Sequence, residues 1–136
     1  GYGTGLAPYR AYLQARAARA DSNPCWLVLG EQQYEQDFLY QTEWQQWLDS
    51  GALTYLDPVF ADDRPSRELA SPFSEQSARL QQWLDDGAVI YLCGEKLTLT
   101  HCERQLQQLI ATADDPDGSK AWKQLATDGR IKRNLY

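Results

Sequence analysis

The chain opens on Gly1-Tyr2-Gly3-Thr4-Gly5-Leu6-Ala7-Pro8, a run that leads directly into a helical pattern. Three glycines at alternate positions let the backbone pass close to a phosphate, because no Cβ stands in the way. The helix amino end behind them offers unpaired N–H groups and about half a positive charge. Thr4 adds a hydroxyl donor, and Pro8 falls near the first turn, where a missing N–H costs nothing. The run is not a P-loop, since no Gly-Lys-Ser/Thr follows, nor the GxGxxG of the dinucleotide fingerprint. A structural turn before a helix explains it equally well. Cys93 is the second group of interest, a thiol ending an apolar run that Gly94 closes. Open α/β sheets hold ligands across the carboxyl ends of their strands, so this place suits a ligand contact. An inert buried thiol is the plainer alternative. Cys25 and Cys102 lie on apolar faces and read as packing. The three cysteines show no CxxC spacing and there is one histidine, His101, so no metal site is expected. His101 faces away from the apolar stripe of its helix, and no Asp or Ser at helpful spacing makes it part of a triad.

The elements that must position these groups follow from apolar spacing. Ala7 to Ala20 reads as a helix with Leu6, Tyr9, Leu13 and Ala17 on one stripe, broken by Asp21-Ser22-Asn23-Pro24. Cys25 to Leu29 is a continuous apolar run ending at Gly30, the pattern of a strand buried on both faces. A helix over about Phe38 to Ser50 and a strand over Leu53 to Phe60 come next, with Pro58 marking an edge or a strand end. The polar stretch Ala61 to Ser74 reads as a loop of functional length. A helix from Ser74 to Asp86, a strand from Val89 to Cys93 and a helix from Leu99 to Ala113 follow. After the Asp114-Asp115-Pro116-Asp117-Gly118 turn come a short helix around Trp122 and Leu125 and a last strand from Arg130 to Tyr136. Trp44, Trp47, Trp83 and Trp122 are expected in the core.

One segment occurs twice. Gln45 to Leu56 repeats as Gln81 to Leu92, differing only at Ser50/Asp86, Leu53/Val89 and Thr54/Ile90. Either a binding unit is duplicated, or two helix–strand joints share one packing and capping solution. Alternating helices and apolar strands imply a parallel sheet covered on both faces. The fold class expected is α/β, a doubly wound, Rossmann-like parallel sheet of about five strands.

With 136 residues the chain fits one domain, spanning 1–136. Apolar residues make up 43%, enough to fill a core and exclude disorder. The net charge of -6 argues against non-specific nucleic-acid binding, although local donors can still hold a single nucleotide. No apolar run reaches the roughly 18–20 residues of a membrane span, and no direct membrane contact is expected. Unpaired thiols fit a reducing compartment, and the expected location is cytoplasmic. The sequence has no methionine, and its first residues read like the interior of a longer polypeptide.

Four stretches together resemble the pyridine-nucleotide-binding half of the ferredoxin–NADP reductase superfamily. They are Gly1 to Arg10, Asp37-Phe38-Leu39-Tyr40 with Glu43-Trp44-Gln45, Ile90-Tyr91-Leu92-Cys93-Gly94, and Arg130 to Tyr136. The likeness is greatest to the diflavin reductases, and among these to the flavoprotein subunit of sulfite reductase. It implies that NADPH lies over the strand ends, its pyrophosphate near Gly3, Thr4 and Gly5, with Pro8, Gly30 and Gly94 lining the binding surface. The nicotinamide would pass hydride to an FAD held by a separate domain of the same polypeptide, for delivery to a downstream electron acceptor. Cys93 would lie near the nicotinamide and Tyr136 would stack on the flavin, holding the rings in contact distance and excluding water. The resemblance also implies a strand before Gly1, so the sheet in this chain would lack its first strand.

Departures from the family pattern bear on chemistry. Relatives grip the 2′-phosphate of NADPH with a Ser-Arg pair, then a Lys and a Tyr; here the pair falls on Ala61 and Asp62 and the Tyr near Leu69. Asp62 would repel a dianionic phosphate by something on the order of 1–3 kcal/mol. It could instead accept from a free ribose 2′-OH, as NADH requires. Arg64 and Arg67 could restore the phosphate site. Gln32 stands where many relatives have Arg, Glu95 replaces Asp after Cys93-Gly94, and Asn134 takes the catalytic acidic position before the terminal aromatic. Asn134 carries no charge, which would also suit a non-catalytic nucleotide-binding or interaction module of the same fold.

Overall fold

The computed structural model describes every residue except Asp63, Arg64 and Ser66, and every side chain among the rest but those of Glu35 and Gln36. The chain divides into two compact units, Gly1–Leu69 and Ala70–Tyr136.

In the first unit a 3₁₀ turn, Gly3–Leu6, runs straight into α1, Ala7–Ala18. Strand β1, Trp26–Glu31, is followed by a short α2, Tyr34–Asp37, and by α3, Gln41–Ser50. Strand β2, Tyr55–Phe60, lies parallel to β1 with Trp26 opposite Tyr55 and Glu31 opposite Phe60. Tyr2 forms a parallel bridge to Gly30, so the segment before the 3₁₀ turn lies along β1 on the side away from β2. β2 pairs with β1 alone among the described residues, an edge position that tolerates the missing donor of Pro58. The core gathers Leu6, Leu13, Leu27, Leu29, Trp44, Trp47, Ala52 and Leu53. Leu29 is fully buried, and burying such a side chain contributes about 1.5–3 kcal/mol. Arg16, also buried, donates to the Ala52 carbonyl at 3.2 Å and to Asp21 Oδ2 at 3.2 Å, which satisfies its guanidinium.

In the second unit α4, Ser71–Glu75, and α5, Ser77–Asp85, precede β3, Ile90–Gly94. Helices α6, Lys96–Leu109, and α7, Ser119–Thr127, follow, and β4, Ile131–Leu135, pairs parallel with β3. Leu92, Leu99, Cys102, Leu106, Trp122 and Ile131 are buried here.

The α/β class and the parallel pairing agree with the sequence. The described pairings, however, form two two-stranded sheets, and a continuous sheet of about five strands is not among them. The repeated segment folds into matching joints. Gly51 and Gly87 end their helices at φ +78° and +93°, and their N–H groups donate to Leu48 and Leu84 at 3.2 and 3.1 Å. Two equivalent caps account for the repeat without a duplicated binding unit.

Candidate functional site

The glycine turn is built on the parallel edge of the first unit. The Gly1 nitrogen donates to the Val28 carbonyl at 2.8 Å, and Gly30 N–H donates to the Gly1 carbonyl at 2.9 Å. Gly3 then takes φ +56°, a conformation L side chains rarely adopt, with open space where a Cβ would stand. Gly5 N–H closes the turn on the Tyr2 carbonyl at 3.1 Å. Because the 3₁₀ turn is continuous with α1, the amino end of the combined helix lies at Gly3 and Thr4, not at Ala7. Thr4 and Pro8 are exposed there, and Gly5 is buried. Gly30 has a packing reason to be glycine: a Cβ would come within 2.7 Å of the Tyr2 ring and 2.9 Å of Leu69.

Beyond the carboxyl ends of β1 and β2 the ladder continues for two bonds. Ala61 N–H donates to the Glu31 carbonyl at 2.9 Å and Asp62 N–H to the Gln32 carbonyl at 3.1 Å. The Gln32 amide in turn donates to Asp62 Oδ1 at 2.7 Å. Sequence reasoning singled out both residues but not their pairing. Arg67 is half-buried, and Arg64 lies outside the described residues. Glu31, which sequence reasoning passed over, carries a buried Oε1 with no partner among the described residues. Burial, then the neighbouring Asp37, push its carboxyl above the usual range. The only sequence signal for it was an acidic residue directly after an apolar run and a glycine.

The Asp37 to Gln45 stretch serves as scaffold. Trp44 Nε1 donates to the Leu39 carbonyl at 2.7 Å, and Phe38 packs edge-on against Phe60 at 5.6 Å. Arg10 grips Glu43 with two bonds at 2.5 and 2.7 Å and lies 4.9 Å from the centre of the Tyr40 ring. This pairing lowers the Glu43 carboxyl below its ordinary range.

The second unit collects the other candidates at one strand end. Cys93 sits opposite Asn134 in the β3–β4 register, and Gly94 opposite Leu135. Tyr136 N–H donates to the Gly94 carbonyl at 3.2 Å, and Lys96 N–H to the Tyr136 carbonyl at 2.9 Å. The terminal aromatic is thereby tied to the start of α6, while its residue stays 61% exposed. Glu95 directly precedes that helix and accepts from the Thr98 hydroxyl. Cys93 is buried with a free thiol, whereas Asn134 and Glu95 are exposed. Burial pushes the Cys102 thiol up to about 11, which makes it unreactive near neutral pH. His101 is exposed, on the side of α6 away from Leu99, Cys102 and Leu106. Among the described residues no three His, Cys, Asp or Glu side chains gather as a metal site would require. No helix among them is long and apolar enough to cross a membrane.

The sequence model of the oxidoreductase NAD-binding domain matches residues 1–105. The chain belongs to that family. The matched residues of this NAD-binding domain run from the glycine turn through Cys93, Gly94 and Glu95. Among curated proteins, it is 46% identical over its whole length to the sulfite reductase [NADPH] flavoprotein alpha-component of Shewanella sp. (strain MR-7). The proteins of the same name from Bacillus subtilis (strain 168) and Escherichia coli O1:K1 / APEC are 40% and 36% identical, again over the whole chain. The domain spans 23–24% of the length of these relatives.

Proposed function

We propose that this domain binds NAD(P)H and positions the nicotinamide for hydride transfer to an FAD carried by a separate domain, in a flavoprotein reductase of the sulfite-reductase type. The observation that carries the reading is the glycine turn at the amino end of a continuous 3₁₀–α helix, beside the carboxyl ends of parallel strands. Its residues fit a pyrophosphate: a positive-φ glycine with no Cβ, an exposed Thr4, and the helix dipole. Relatives named as NADPH flavoproteins support the same assignment.

The bound dinucleotide supplies the hydride and the flavin accepts it. The chain's own residues bind and orient. The pyrophosphate lies against the open side of Gly3 and the exposed Thr4 at the helix amino end, while Gly5, its N–H held by the Tyr2 carbonyl, shapes the turn. Cys93 presents a small apolar thiol at its strand end, and Asn134, its register partner, offers a neutral amide. Tyr136, anchored through its backbone to Gly94 and Lys96, offers an exposed ring to the flavin and keeps water from it. Family likeness and parallel pairing also support a doubly wound sheet of about five strands as the frame. A cytoplasmic location and a downstream electron acceptor complete the reading. The neutral, exposed Asn134 favours a second reading, a nucleotide-binding module without catalysis.

The test mixes the flavin-loaded polypeptide that carries this chain, free of oxygen, with NADPH or NADH. Bleaching of the flavin absorbance is expected. A flavin that stays oxidised while calorimetry shows dinucleotide binding favours the non-catalytic module. Absence of binding by a folded protein overturns both readings.

A further inference from the structure

We propose that the Gln32–Asp62 pair makes this domain select the dinucleotide that lacks a 2′-phosphate, so that NAD(H) binds more tightly than NADP(H). Resting on the dinucleotide-binding reading, it concerns the adenosine end of the ligand.

Three backbone ends lie side by side in the first unit: the Gly1–Tyr2 segment, β1 and β2. The glycine turn follows the first, Gln32 the second and Asp62, after Ala61, the third. Adjacent strands are about 4.8 Å apart, which puts Asp62 on the order of 10 Å from the turn. A dinucleotide with its pyrophosphate at Gly3–Gly5 and its adenosine running across β1 and β2 therefore brings its ribose toward the pair. What it meets is fixed. The Asp62 backbone is held by the Gln32 carbonyl at 3.1 Å, and its Oδ1 by the Gln32 amide at 2.7 Å.

The chemistry of that pair discriminates by sign. A glutamine amide donates a hydrogen bond but brings no positive charge to offset the carboxylate. Asp62 Oδ2 remains an acceptor suited to a ribose hydroxyl, which is a donor. A 2′-phosphate monoester offers no such donor and carries about −1.5 to −2 charges at neutral pH, so the same carboxylate repels it. Glu31, directly before Gln32, is a second carboxyl on this edge. A site for the 2′-phosphate needs cations, and among the described residues the two side chains bonded to each other at this end of the β1–β2 ladder are a neutral amide and an anion.

Calorimetric titration of the chain with NAD⁺ and with NADP⁺ tests the proposal, with Asp62→Asn and Asp62→Arg as variants and circular dichroism to check folding. NAD⁺ is expected to bind at least about fivefold more tightly to the wild type. Asp62→Asn, which keeps the shape and removes the charge, should shrink that ratio, and Asp62→Arg should invert it. Tighter NADP⁺ binding by the wild type overturns the proposal but leaves the dinucleotide reading standing. So does a ratio that neither variant changes, or a loss of NADP⁺ binding alone in Arg67→Ala. Failure of the folded wild type to bind either ligand overturns the reading and the proposal together.

Discussion

Glu31 keeps a carboxyl where an uncharged side chain would fold more easily. Its Oε1 is buried without a partner among the described residues, and burial followed by Asp37 raises its pKa. A carboxyl whose folded pKa lies above its unfolded value of about 4.3 costs stability once pH exceeds the folded value. Below the unfolded value both states are protonated and the cost disappears. Glu31→Gln should therefore raise the urea midpoint at pH 7 and leave it nearly unchanged near pH 4. The gain is on the order of 1 kcal/mol, discounted because the residue is partly exposed. A lower midpoint at pH 7 would mean that Glu31 is ion-paired in solution. A higher midpoint for Glu31→Gln at pH 7 would support the binding edge proposed at Gln32 and Asp62, since a carboxyl that costs stability is then kept for something other than folding.

At the scale of elements, continuous apolar runs and helical stripes were legible, and every strand expected within the described residues is present. The edges moved for physical reasons. Helix α6 begins at Lys96, not Leu99, because the Leu99 N–H already reaches back to the Glu95 carbonyl at 3.1 Å, which places the first helical turn before Leu99. Helix α4 occupies the end of the stretch read as a loop, starting at Ser71-Pro72, with Pro placed where a helix accepts it. The register of Cys93 with Asn134 could not be seen in sequence, because strand partners depend on contacts far apart in the chain. Nor could the role of Glu103, which accepts from Trp122 Nε1 at 2.8 Å and from Arg133 Nε at 3.0 Å, joining α6, α7 and β4. The bond from Arg133 first, then that from Trp122, holds its pKa down. A depressed carboxyl stabilises the fold above its unfolded pKa and loses that contribution as pH falls through the folded value. Glu103→Gln should lower the unfolding free energy measured by urea titration at pH 7 by about 1–2 kcal/mol, and the gap to wild type should close as pH drops below about 4. A gap that is unchanged at low pH would assign the loss to packing.

At the scale of the whole molecule, charge decides how binding responds to salt. The chain carries 13 basic and 19 acidic side chains, so an anionic dinucleotide approaches against a net charge of -6. A site that grips phosphate with arginines loses affinity as salt screens the attraction. The turn proposed here to hold the pyrophosphate uses backbone N–H groups and a hydroxyl, short-range donors that screening barely touches. What salt does weaken is the repulsion from the acidic surface, including Asp62 and Glu31. Between about 0.01 M and 0.15 M ionic strength the Debye length falls from about 30 Å to about 8 Å. Over that range the affinity for NAD⁺ is expected to stay level or rise up to about threefold, read by calorimetry. NADP⁺, with the larger negative charge, should gain more, narrowing its deficit. A fall of tenfold or more for either ligand would show that cations hold the phosphates, with Arg64 and Arg67 the groups to replace first.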